Sequence, residues 1–128
     1  PQGDRSGTPE QGEQVSDTYY EFGTAADRWS RAQLFFDAKE YQTAVRVLRG
    51  LVAEHPDQTA QRLLLARAYY HSAQLKNAET ELRAILERDP VEHYARLMLG
   101  RTLERQGRQD EAAPHLRMAA AMSGELPS

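Results

Sequence analysis

The sequence predicts an all-α fold, an α-α superhelix (solenoid) of three antiparallel helix-turn-helix units behind a flexible N-terminal tail. Three observations carry that reading. Apolar residues recur at spacings of three and four from residue 24 onward, Pro56 and Pro90 stand 34 residues apart, and small and large side chains return at the same offsets in each interval. A chain of 128 residues has room for one such domain.

Residues 1–23 read as an acidic, largely disordered tail. The first 14 residues are rich in Gly, Pro and polar side chains without apolar periodicity, so ordering them would cost backbone entropy with nothing buried in return. Asp4, Glu10, Glu13, Asp17 and Glu21 against Arg5 give this stretch a charge of -4, which leaves +1 on the rest of a chain whose total is -3. Tyr19, Tyr20 and Phe22 concentrate aromatic area beside Asp17 and Glu21. That segment can continue the first helix backward, cover it as an added helix, or stay extended, and Gly23 argues for a break.

Residues 24–124 form the predicted helical domain, with repeats at about 25–58, 59–92 and 93–124 and a short tail at 125–128. Ala25, Ala26, Trp29, Ala32, Phe35 and Phe36 lie along one side of the first helix. Ala32, Ala66 and Gly100 then share one slot, where a small side chain lets a partner helix approach. Phe35, Tyr69 and Leu103 fill the next slot. Ala44, Ala78 and Ala112 recur in the second helix of each pair, followed by Leu48, Leu82 and Leu116 and by Leu51, Ile85 and Ala119. Pro56 and Pro90 each end a helix. Helices are expected near 25–38, 41–55, 58–72, 75–88, 92–106 and 110–123. Asp110 is expected to cap the last, which would place Pro114 in its first turn.

This small-large-small-large pattern with a closing Pro resembles the tetratricopeptide repeat family, over residues 25 to about 124. Three departures stand out. Arg28, Arg62 and Arg96 replace the Trp common near each repeat's start, although Trp29 lies one position later; Gly124 stands where a third closing Pro would; and Pro114 interrupts the last helix.

Composition and motifs exclude several function classes. No cysteine is present, which removes disulfides, thiolate catalysis and Cys-containing metal sites. His55, His71, His93 and His115 lack metal-ligand spacing and read as solvated or capping residues. Glu79 with Glu81, Glu87 with Asp89 and Asp110 with Glu111 point different ways from a helix and read as solvated surface. No nucleophile motif or phosphate loop appears, so the expectation is a non-enzyme without cofactors or metals. A body charge of +1 and only three repeats argue against nucleic acid, and no apolar run approaches bilayer length. Without a basic-then-apolar leader pattern the chain reads as soluble and cytoplasmic. Fourteen Arg against two Lys resembles the coding bias of a high-GC bacterial genome.

The family resemblance implies a protein–protein interaction scaffold whose first helices line a concave groove. Carried onto this chain, the lining positions are Ala26, Trp29, Gln33, Phe36 and Asp37, then Ala60, Leu63, Arg67, Tyr70 and His71, then Tyr94, Leu97, Arg101, Glu104 and Arg105. Aromatic and arginine side chains, both enriched at binding hot spots, dominate this set and suit an acidic, aromatic peptide. The plainer alternative is that Trp29 and Phe36 pack beneath the N-terminal segment while Arg67 and Arg101 pair with local acids such as Glu104. The carboxylate clamp of chaperone-binding members is missing, since its positions hold Trp29, Gln33, Leu64, Tyr94 and Met98. The segment Tyr19 to Phe22 has the chemistry the groove should prefer and is expected to dock there itself. The alternative reading is a homodimer or larger homo-oligomer built through the terminal helices, with Leu116, Met118 and Met122 as its seed.

Overall fold

Thr24 starts the first helix by a reciprocal cap: its hydroxyl accepts from the Asp27 N–H at 3.1 Å, and the Asp27 carboxylate accepts from the Thr24 N–H at 3.2 Å. In the computed structural model, which describes residues 22–124, this helix is α1 (Ala25–Asp37). Five more follow: α2 (Tyr41–Glu54), α3 (Thr59–His71), α4 (Leu75–Arg88), α5 (His93–Arg105) and α6 (Gln109–Ser123). Each bound lies within a residue or so of its expected place. No strand occurs among the described residues, and no helix there is long and apolar enough to cross a membrane. Most of the acidic tail, including Tyr19 and Tyr20, and the C-terminal 125–128 lie outside the described residues.

The turns repeat as faithfully as the helices. Within each pair the chain reverses through one left-handed residue, Lys39, Ala73 or Gly107, with φ of 63°, 63° and 78°. These positions are 34 residues apart. Each turn closes with the same bond, from the Glu40, Gln74 and Arg108 N–H groups to the Phe35, Tyr69 and Leu103 carbonyls at 2.8, 2.8 and 2.9 Å. Only the third uses glycine, so the first two hold a strained conformation costing about 1 kcal/mol each. Between pairs, His55 and Asp89 are extended as residues before proline must be, which stops α2 and α4.

Consecutive helices pack antiparallel in two connected cores. Leu48, Leu51, Leu65 and Tyr69 anchor the first, and Leu82, Ile85, Leu99 and Leu103 the second. Each such buried side chain contributes about 1.5–3 kcal/mol. The slot read as small is filled to contact: a Cβ at Gly100 would sit 2.5 Å from Leu116 Cδ2.

Three details differ from expectation. The last helix begins at Gln109 with Arg108 as its cap residue, so Asp110 is inside it and Pro114 lies in the second turn, where the missing N–H leaves a helical carbonyl without its usual donor. Glu79 is not solvated surface but 8% exposed, accepting from Arg108 Nη1 at 2.7 Å, Arg83 Nε at 2.9 Å and Gln106 Nε2 at 3.1 Å. Glu81 likewise pairs with Arg62 at 2.9 Å, whereas Glu87, Asp89, Asp110 and Glu111 are exposed as expected.

The three arginines in place of Trp are bracing groups. Arg62 and Arg96 each donate to the carbonyl of the proline six residues earlier, Pro56 and Pro90, at 3.3 and 2.8 Å. Each also reaches the second helix of its own pair, at Glu81 and at His115 Nδ1 (3.2 Å). Arg28, 8% exposed, grips Glu54 with two bonds at 2.7 and 3.0 Å.

Candidate functional site

A helix presents residues i, i+3, i+4 and i+7 on one face, so α1, α3 and α5 each offer one stripe to the side opposite α2, α4 and α6. On that side Arg67 of α3 reaches both neighbours. Its guanidinium lies 4.7 Å from the Phe36 ring centroid on α1 and 6.0 Å from that of Tyr94 on α5. Arg105 covers the Tyr70 ring at 4.5 Å and donates to the Tyr70 carbonyl at 2.8 Å. The result is a ladder of alternating rings and guanidiniums running across three helices.

Its electrostatics follow from what each cation spends. Neither Arg67 nor Arg105 pairs with an acid among the described residues, so both keep a charge stacked on a ring with N–H edges toward solvent. Arg101 is different: it pairs with Glu104 at 3.2 Å, as the plainer alternative held. That exposed pair is worth at most about 1 kcal/mol. His71 is held below the ordinary histidine pKa by burial and by the Arg67 and Arg105 charges. Its ring stacks on Tyr41 at 4.8 Å and meets Phe36 and Tyr70 edge-on.

The other expected groove residues are distributed unevenly. Trp29 and Phe36 are half-buried against the first core, and Leu63 packs on the second. Gln33 and Asp37 are exposed beside them. Leu97, Arg101 and Tyr94 line a cavity of about 220 Å³ with Leu116, Ala119 and Ala120, at the end of the array between α5 and α6. Leu64 and Met98 are buried, so two of the clamp positions face the core and could not hold a ligand carboxylate. Phe22 is 69% exposed just before α1. Tyr41 escaped the sequence reading because it belongs to α2, outside the offsets of the first helices. Its only signal was an aromatic residue in an otherwise polar turn.

The comparisons with known proteins agree with this architecture. The tetratricopeptide repeat family profile matches residues 35–99, just over half the chain, and a second profile of the same description matches 94–121. Among solved structures, a MamA point mutant superposes with a TM-score of 0.77 at 18% identity, over 92% of this chain and 88% of that one. MamA AMB-1 gives 0.77 at 17% identity over 97% of this chain and 69% of that one. MamA 41-end from Desulfovibrio magneticus RS-1 gives 0.70 at 24%, over 78% of this chain and only 56% of that one. At these identities the likeness is one of fold. No curated protein sequence matches. Two family matches spanning all three repeats, on the helix pairs and turns described above, place the chain in the tetratricopeptide repeat family, whose members serve as protein-interaction scaffolds.

Proposed function

We propose that the concave face binds an acidic, aromatic peptide segment of a partner protein, without catalysis. One observation carries the reading: Arg67 is braced between Phe36 and Tyr94 with no acid spent on it among the described residues. A guanidinium held by rings loses little further freedom when a carboxylate arrives, and the rings offer apolar area to the ligand's neighbouring side chains. Arg105 over Tyr70 extends the same chemistry by one step. Trp29, Gln33, Leu63, His71, Leu97 and Arg101 complete the wall.

The segment from Asp17 to Phe22 is the chain's own candidate occupant. A tethered ligand acts at an effective concentration of order mM, so weak affinity suffices to keep it docked. A labelled peptide of that sequence, Asp-Thr-Tyr-Tyr-Glu-Phe, should bind the full chain weakly and a chain lacking residues 1–21 more tightly. Arg67→Glu should abolish both. Equal affinity for Arg67→Glu and wild type would remove the groove reading, while equal affinity with and without residues 1–21 would remove only the self-docking.

A second reading, assembly of copies through the terminal helices, is favoured by the cavity between α5 and α6 and by Met118, 48% exposed on the last helix. Sedimentation at two concentrations separates them. A single monomeric species at both would dispose of this alternative.

A further inference from the structure

The array has two grooves on the face formed by its second helices, one at each junction between repeats. The first, of about 720 Å³, lies among α2, α3 and α4, with Arg46, Arg49, Val52, Leu65, Tyr69 and Glu81 in its walls. The second, of about 300 Å³, is walled by Arg83, Leu86, Leu99 and His115. These are the residues 34 places after Arg49, Val52, Leu65 and Glu81, so the two grooves are one feature built twice. Leu65 and Tyr69 project from the side of α3 opposite Arg67 and Tyr70, which separates the first groove from the concave ladder.

Identical geometry makes the second groove an internal control for the first. There, Arg83 is neutralised by its own chain, with Glu79 at 2.9 Å and Glu111 at 4.0 Å. At the first junction the place of Glu79 is taken by buried Val45, and Arg49 pairs with no acid among the described residues. Ala53 stands where the second groove has Glu87, and Arg46 stands where it would have Thr80. Glu81, the acid in the first groove, gives its charge to Arg62 at 2.9 Å. Every one of these differences leaves the first groove more positive and more open.

We propose that this groove between the first and second repeats is a second binding site, taking an acidic peptide segment with a carboxylate on Arg49 and an adjacent apolar side chain on Val52, Leu65 and the Tyr69 ring. The walls decide the ligand class. A free inorganic anion would satisfy Arg49 but leave the apolar half in water, whereas a peptide alternating acidic and apolar side chains covers both.

The test uses the full chain labelled with ¹⁵N and two probes: the peptide acetyl-Glu-Phe-Glu-Phe-Glu-amide and sodium phosphate. The peptide should shift the amides around Arg49, Ala53 and Tyr69 saturably at near-physiological salt. Arg49→Glu should weaken those shifts by about tenfold or more. Arg67→Glu, in the other groove, should leave them within about twofold. Arg49→Ala removes the cation without adding an acid and should rank between wild type and Arg49→Glu, which keeps the result independent of any folding defect peculiar to the charge reversal. Three outcomes overturn the proposal: no shift at those amides up to millimolar peptide, shifts that survive Arg49→Glu, or equal shifts from phosphate alone. Loss of concave-face shifts alone, with these retained, would sink the groove reading above and leave this site standing.

Discussion

The carboxylate of Glu79 should be the largest single electrostatic contributor to stacking of the second repeat on the third. Burial works to raise its pKa, but hydrogen bonds from Arg108, Gln106 and Arg83, with the Arg108 charge added, overcome that and lower it from 4.5 to about 2. At 1.36 kcal/mol per unit the shift corresponds to roughly 3 kcal/mol. The Arg83 side chain is 45% exposed, so solvent screens part of the cluster and on the order of 2 kcal/mol should remain. Because the folded pKa lies below the unfolded one, this stability is fully present above about pH 4.5 and drains away as pH falls toward 2. Glu79→Gln keeps the shape and removes the charge. Urea unfolding followed by circular dichroism at pH 7 should show the variant less stable by about 2 kcal/mol, equivalent to about 10 °C in Tm for a domain of this size. Repeated at stepped pH values down to 2.5, the difference between variant and wild type should shrink to a fraction. A deficit under about 0.5 kcal/mol at pH 7, or one that stays constant with pH, would refute the charge-network account.

Other perturbations test the repeat geometry. Gly100→Ala should cost about 1 kcal/mol net, since overpacking against Leu116 outweighs the helix-propensity gain, and in a Leu116→Ala background the same change should become stabilising; thermal melts of the four proteins check the sign reversal. Ala73→Gly should stabilise by about 1 kcal/mol by relieving the left-handed turn that Gly107 already occupies in the third repeat, and a loss of stability on urea unfolding would contradict this. His115 is held below the ordinary histidine pKa by burial and by Arg96 and Arg83, and His71 by burial and by Arg67 and Arg105. Both therefore favour the neutral form when folded, so stability should decline as pH drops below about 6.5, and a His71→Gln, His115→Gln double variant should flatten that decline in pH-stepped melts.

Much of the fold was legible because it is written in local periodicity. Ala32, Ala66 and Gly100, and the prolines at 56 and 90, mark helix faces and ends without reference to anything distant in the chain. Glu79 was misread because its partners, Gln106 and Arg108, are 27 and 29 residues away in the next repeat's turn, and a carboxylate's burial depends on them, not on its helical neighbours. The ladder was legible residue by residue through the family offsets. Its coupling was not: that Arg67 serves Phe36 and Tyr94 together depends on how far apart three helices stand, which no spacing in the sequence encodes.

A repeated backbone also separates what folds the chain from what distinguishes it. Residues that recur in register, such as Arg62 and Arg96 on their proline carbonyls, do the same bracing job in each unit and cannot tell one repeat from another. Recognition must therefore lie where the register is broken. The acceptor opposite that arginine changes from Glu81 to His115, and Val45 gives way to Glu79. Among the described residues, the second of these substitutions decides whether the neighbouring guanidinium is consumed inside the chain, as at Arg83, or remains available to a ligand, as at Arg49. The same logic selects Arg67: its register mates are Gln33, which is neutral, and Arg101, which Glu104 pairs, so the one unspent cation of that slot stands at the centre of the concave face.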